Sequence, residues 1–117
     1  MNTRQSIQDY FGRLSDKRDW STLLANEINF TSHTSPVKRV EGKTPYLEAT
    51  KRFFASIVSV NLQELLVDGE KACALTRYEL RAPDGAVFAS EVAEVFHVRG
   101  GQIVSLQIYF DSAPFPK

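Results

Sequence analysis

Apolar residues recur at Ile7, Tyr10, Phe11 and Leu14, the spacing that places four side chains on one face of a helix, and Thr3 can cap its start. The pattern predicts an amphipathic helix over residues 3–15. After the charged break Asp16-Lys17-Arg18, Asp19 can cap a second short helix carrying Trp20, Leu23 and Leu24, which Asn26 would close. The period then changes. Ile28, Phe30, Ser32 and Thr34 alternate with Asn29, Thr31 and His33, predicting a short strand that ends at Pro36 and gives way to a loop.

Thr44 as cap with Pro45 behind it marks a second clear helix start, and Tyr46, Leu47, Thr50, Phe53, Phe54, Ile57 and Val58 draw a broad apolar face. This predicts the longest helix, over 44–58. From Val60 the period is two. Asp68-Gly69, Pro83-Asp84-Gly85 and Arg99-Gly100-Gly101 are hairpin signals dividing strands at 60–68, 71–82, 86–98 and 102–111. Three of these exceed the usual strand length of about 5 to 6 residues, so the sheet they form must twist and curl. Its apolar face needs cover, and the helices of the first half are what the chain has to supply it. The expected fold is α+β in the order α-α-β-α-β-β-β-β, three helices on a strongly curved antiparallel sheet, as one domain over 1–117. Ser112 to Lys117, with two prolines, is expected to be a loose tail.

Composition narrows the function. Lys plus Arg total 14 and Asp plus Glu total 14, and the basic pair Lys38-Arg39 is answered by Glu41. The positive field that nucleic acid or an anionic membrane requires is absent from such a balance. Cys73 is the single cysteine, excluding an internal disulfide, and its run reads as strand interior where a small thiol is inert core. Charges interrupt the first twenty residues, leaving no apolar stretch for a leader or span, so a cytoplasmic location is expected. With two histidines and one cysteine there is little from which to build a metal site, and neither a glycine-rich phosphate loop nor a Gly-x-Ser-x-Gly elbow is present, so no metal or cofactor is expected.

The element order, the closing segment Gly101-Gln-Ile-Val-Ser-Leu-Gln-Ile-Tyr-Phe-Asp111, and Tyr10-Phe11 followed by Asp19-Trp20 resemble the SnoaL-like members of the nuclear transport factor 2-like superfamily. The resemblance spans nearly the whole chain. It implies a cone-shaped cavity between sheet and long helix, a small apolar ligand, and a homodimer through the outer sheet face. Because one fold hosts many chemistries, the site must be argued from its residues.

Along the third strand of the meander, Val92, Glu94, Phe96 and Val98 share one face, so Glu94 is a carboxylate in an apolar row. If that row faces inward, Glu94 must be paired, protonated or at a pocket wall. It falls where the ketosteroid isomerases, similar in fold, place a protonated aspartic acid that donates to an oxyanion. His33 falls near the place of their carboxylate base, and a histidine there would move protons near neutral pH. Tyr10 lies one residue from their first-helix tyrosine, a position that Phe11 occupies. Arg77-Tyr78-Glu79 is similar to the Arg-x-Asp of limonene epoxide hydrolases, although the second aspartate of that family corresponds to Ile108. The candidates for chemistry are thus Glu94, His33, Glu79 and Arg77, and those for the ligand wall are Tyr10, Trp20, Tyr46, Phe54, Phe96 and Ile108. On the last strand Val104, Leu106, Ile108 and Phe110 form the expected inner face, with Asp111 at the rim. Two functions fit: an enzyme doing acid/base chemistry on a small apolar carbonyl or epoxide compound (an isomerase, cyclase or hydrolase), or a ligand-binding or dimerisation domain without turnover.

Overall fold

The computed structural model describes residues 2–34 and 36–116. Helix α1 spans Thr3–Asp16 and buries Ile7, Tyr10, Phe11 and Leu14 as their spacing requires. Its cap is Asn2 rather than Thr3. The Asn2 side chain accepts from the Gln5 amide at 2.8 Å and the Gln5 side chain accepts in return from the Asn2 amide at 3.0 Å, a reciprocal capping box. Thr3 instead donates to the Gly69 carbonyl at 2.7 Å, tying the helix to a hairpin turn. Lys17, with φ 56, ends the helix in the left-handed conformation.

The expected second helix is a single 3-10 turn, Trp20–Leu23, because Leu24 already belongs to strand β1, Leu24–Ser32. Strand β2, Lys38–Glu41, occupies what the sequence presents as a loop, and pairs antiparallel with β1 at the sheet edge. Its Lys-Arg-Val-Glu sequence shows no alternation because an edge strand buries little. Helix α2 spans Lys43–Ser56, so Ile57 and Val58 open strand β3 rather than closing the helix. Gly42 precedes α2 with φ 94, a conformation that favours glycine, and an added Cβ would lie 3.4 Å from Pro45 Cδ. Pro45 is tolerated because first-turn amides have no helical partner.

Strands β3 (Ile57–Asp68), β4 (Lys71–Arg81), β5 (Val87–Arg99) and β6 (Gln102–Phe110) complete a six-stranded sheet in the order β2-β1-β6-β5-β4-β3. The architecture is α+β, with two α-helices and a curved, mixed sheet. It is mixed because β1 runs parallel to β6. A hairpin signal cannot announce that pairing, since the partners are far apart in the chain. A register shift between His97 and Val98 sets Val98 opposite Ile103, so Ile103 is fully buried and Val104 only half-buried. The expected inner face of β6 therefore breaks at its first residue and holds at Leu106, Ile108 and Phe110.

The centre of the core is aromatic. Tyr10 and Phe11 of α1 meet Phe96 of β5 edge to face, with centroids 5.7 and 6.0 Å apart, and Trp20 lies 4.2 Å from Phe54 of α2. Cys73 is not core: Ala72 and Ala74 point inward, and Cys73 is half-buried on the outer face opposite Leu66 and Val95. The C-terminal segment, described as far as Pro116, is not loose either. Phe115 folds back to pack 5.0 Å from Phe88 and 5.3 Å from Phe110. No helix among the described residues is long and apolar enough to cross a membrane.

Candidate functional site

Between the inner face of the sheet and α2 lies a cavity of about 250 Å³. Its walls follow from strand alternation and helix pitch. Phe30 comes from β1, Tyr46, Phe53 and Phe54 from one face of α2, and Leu106, Ile108 and Phe110 from β6. Strand β4 contributes Tyr78 and β5 contributes Ser90, Val92 and Glu94. The volume falls just under the roughly 300–1,000 Å³ of typical small-molecule sites, which matches a small ligand.

Glu94 is 4% exposed and is the only carboxyl among the residues lining this space. Its cross-strand neighbours, Ala74 on β4 and Ile108 on β6, have no side-chain hydrogen bond to give. Tyr78 bonds it instead. The Tyr78 hydroxyl lies 3.1 Å from Oε1 and 2.9 Å from Oε2, donating across the face of the carboxyl. Thr76, on the same inward row of β4, sits close enough to favour the charged form but forms no hydrogen bond of ordinary geometry. Ser90, opposite Tyr78, also has a buried hydroxyl with no partner among the described residues.

Burial pushes the Glu94 carboxyl up from its ordinary value near 4.5 to about 7, while the Tyr78 hydrogen bond and the Thr76 hydroxyl pull the other way. Near neutral pH the group is therefore poised between acid and base. The phenols shift in the same direction. Burial, with the Glu94 charge adding to it, raises Tyr46 and Tyr78 far above the usual phenol value. Tyr10 is raised as well, by burial, then Tyr46, then Glu94, and its hydroxyl faces that of Tyr46 closely enough to interact. All three remain protonated and can act as donors.

The structure divides the candidate residues into three groups. Glu94, Tyr46, Phe54 and Ile108 line the cavity. Tyr10, Trp20 and Phe96 form the aromatic layer around it and support its wall without lining it. His33, Arg77 and Glu79 are elsewhere. The His33 ring lies on the outer face, 2.8 Å from Gln107 Oε1 and stacked 4.5 Å from Tyr109, because strand parity sets it opposite to Ile108. Arg77 pairs with Glu91 at 2.7 Å on that outer face, and Glu79 shares its parity. A histidine base beside Glu94 and an epoxide-hydrolase Arg-Glu pair are thus not assembled in the cavity. Asp111 is exposed and accepts from the Ala113 amide at 2.9 Å, capping its own turn.

Tyr78, the residue that bonds the buried carboxyl, is not among the candidates that the sequence pattern offers. The signal was present: if Arg77 and Glu79 face outward on a strand, the residue between them faces inward. Among the described residues no cluster of three or more His, Cys, Asp or Glu side chains could hold a metal.

Comparison with known proteins agrees with this architecture. A family model of the SnoaL-like domain matches residues 7–106, and the chain belongs to that family. A Bacillus subtilis protein provisionally described as an isomerase superposes with a TM-score of 0.80 at 18% identity, covering 97% of this chain and 91% of that one. A Jannaschia protein provisionally described as a SnoaL-like polyketide cyclase gives 0.79 at 15% identity over 98% and 93%. A Catenulispora acidiphila protein with a ketosteroid isomerase-like fold, solved with trimethylamine, gives 0.77 at 18% identity over 96% and 89%. Among curated proteins none matches the chain.

Between pH 4.5 and about 7 the folded protein holds a proton on Glu94 that the unfolded chain releases. The contribution of Glu94 to stability is therefore greatest below the lower value and falls as pH rises to the upper one, by roughly 3 kcal/mol for a separation of that size. Glu94→Gln removes this dependence while keeping a partner for Tyr78. Urea unfolding of both proteins across that range should show the wild type losing stability relative to the variant, and parallel curves would contradict the account.

Proposed function

We propose that this protein is a cofactor-independent enzyme that moves a proton on a small, largely apolar carbonyl compound, as an isomerase or cyclase does. One observation carries the reading: a lone carboxyl, balanced between its two protonation states, stands in an apolar cavity beside hydroxyls that stay protonated. A general acid/base works best with its pKa near the operating pH. The Tyr46 hydroxyl, backed by Tyr10, is the donor to the carbonyl oxygen. Glu94 as carboxylate takes a proton from the carbon next to that carbonyl, and the electron pair of the broken C–H bond moves to the oxygen as an enolate. Tyr46 stabilises the enolate. Where the substrate carries a β,γ double bond, the dienolate takes the proton back from Glu94 at the γ carbon as the double bond moves into conjugation; in a cyclisation the enolate carbon attacks a second carbonyl, and the alkoxide so formed takes the proton from Glu94.

A single proton carrier is sufficient for such a shuttle. Hydrolysis would need a second group to activate water, and the corresponding place on β6 is held by Ile108. The assembly we propose is a homodimer through the outer sheet face, where Leu66, Leu75 and Tyr109 are exposed.

The direct test is exchange of the protons next to the carbonyl of butyrophenone in deuterium oxide, followed by NMR. The wild type should catalyse exchange with a rate that rises with pH through about 7, as the Glu94 base form accumulates. Glu94→Gln should slow it by at least about 100-fold and Tyr46→Phe by a similar factor. Exchange that is absent, or indifferent to Glu94→Gln, would leave the domain as a binder without turnover. For the assembly, sedimentation should give a dimer mass for the wild type and a monomer mass for Leu75→Glu. A wild-type monomer at all attainable concentrations would refute the dimer.

A further inference from the structure

Glu94 explains the interior of the cavity but not the charge around its open end. Lys38, exposed on the edge strand β2, is the one cation lining the cavity. The register sets it abreast of Glu94: Lys38 pairs with Ser32 on β1, Ser32 with Ile108 on β6, and Ile108 with Glu94 on β5. Three strand spacings separate the two ends of that row, roughly 14 Å along the sheet.

A wider groove of about 670 Å³ adjoins the cavity, sharing Phe53 and Phe115 with it, and its lining includes Arg52 and Arg81. None of Lys38, Arg52 and Arg81 has an ion-pair partner among the described residues. Neither lining contains a carboxylate other than buried Glu94. The surface charges in these linings are thus cationic, with the exposed Asp84 and Asp111 next in the chain to the lining residues Pro83 and Phe110. Low-dielectric walls focus such a field toward the opening.

We propose that the ligand is an amphiphilic anion, with an apolar carbonyl-bearing body inside the cavity and a carboxylate at its far end bound by Lys38 at the mouth. The proposal rests on the carbonyl chemistry assigned to Glu94 and adds the substrate class. The apolar walls account for the body and the unpaired lysine for the charged end.

Two ketones of the same skeleton separate these parts: benzoylpropionate, which carries a carboxylate, and butyrophenone, which does not. Calorimetric titration of the wild type should show benzoylpropionate binding about tenfold more tightly, the size of one charge-assisted contact at a partly exposed site. Lys38→Gln should remove most of that preference and leave butyrophenone affinity unchanged. Raising the ionic strength about tenfold should weaken the acid alone. Glu94→Gln should instead slow exchange of the protons next to the carbonyl in both ketones, so its failure to do so would count against the carbonyl chemistry and not against Lys38. The proposal is overturned if benzoylpropionate shows no preference or no binding at millimolar concentration, if the preference survives Lys38→Gln, or if Lys38→Gln weakens both ketones equally.

Discussion

The contact on which this site depends is the one between Tyr78 and the buried carboxyl of Glu94. An isolated carboxylate in an apolar interior costs several kcal/mol, more than one phenol hydrogen bond returns. The protein resolves the conflict by letting the carboxyl keep its proton up to about pH 7. That solution has a structural requirement. Stronger partners would restore an ordinary carboxylate, and no partner at all would leave an orphaned polar group, so one donor in an otherwise apolar wall is the arrangement that leaves the group responsive.

The scaffold supplies that arrangement through register. Strand β5 places Glu94 between Ala74 and Ile108, and β4 brings Tyr78 to it from opposite Ser90. Helix α2 closes the other side with Tyr46, Phe53 and Phe54, and the Tyr10, Phe11 and Phe96 cluster fixes the base of the cavity. Aromatic pairs of this kind add about 0.5–1.5 kcal/mol each beyond their buried area. A wall built from them is stiff, and a stiff wall keeps the carboxyl apart from water.

Much of this was legible in the chain. The helical spacing of Ile7, Tyr10, Phe11 and Leu14, the three glycine hairpins and the apolar row around Glu94 each correspond to an observed element. What escaped is what depends on distant partners. The parallel pairing of β1 with β6 carries no local sign, and Lys38–Glu41 becomes a strand because β1 offers it an edge. The shift at His97 moved Ile103 inward at the expense of Val104. Strand parity groups His33 with Asn29 and Thr31 on the face away from the cavity, so its family position does not bring it to Glu94. The same parity, applied to Arg77 and Glu79, would have found Tyr78.

The site requires Glu94 to titrate near neutrality inside the folded protein. Carbon-13 labelling of the glutamate side-chain carboxyls allows its titration to be followed by NMR, with Glu94→Gln assigning the signal. A carboxyl resonance that shifts with a midpoint near 7 and is missing from the variant is the expected result. A Glu94 resonance titrating near 4.5, as an ordinary glutamate does, would contradict it.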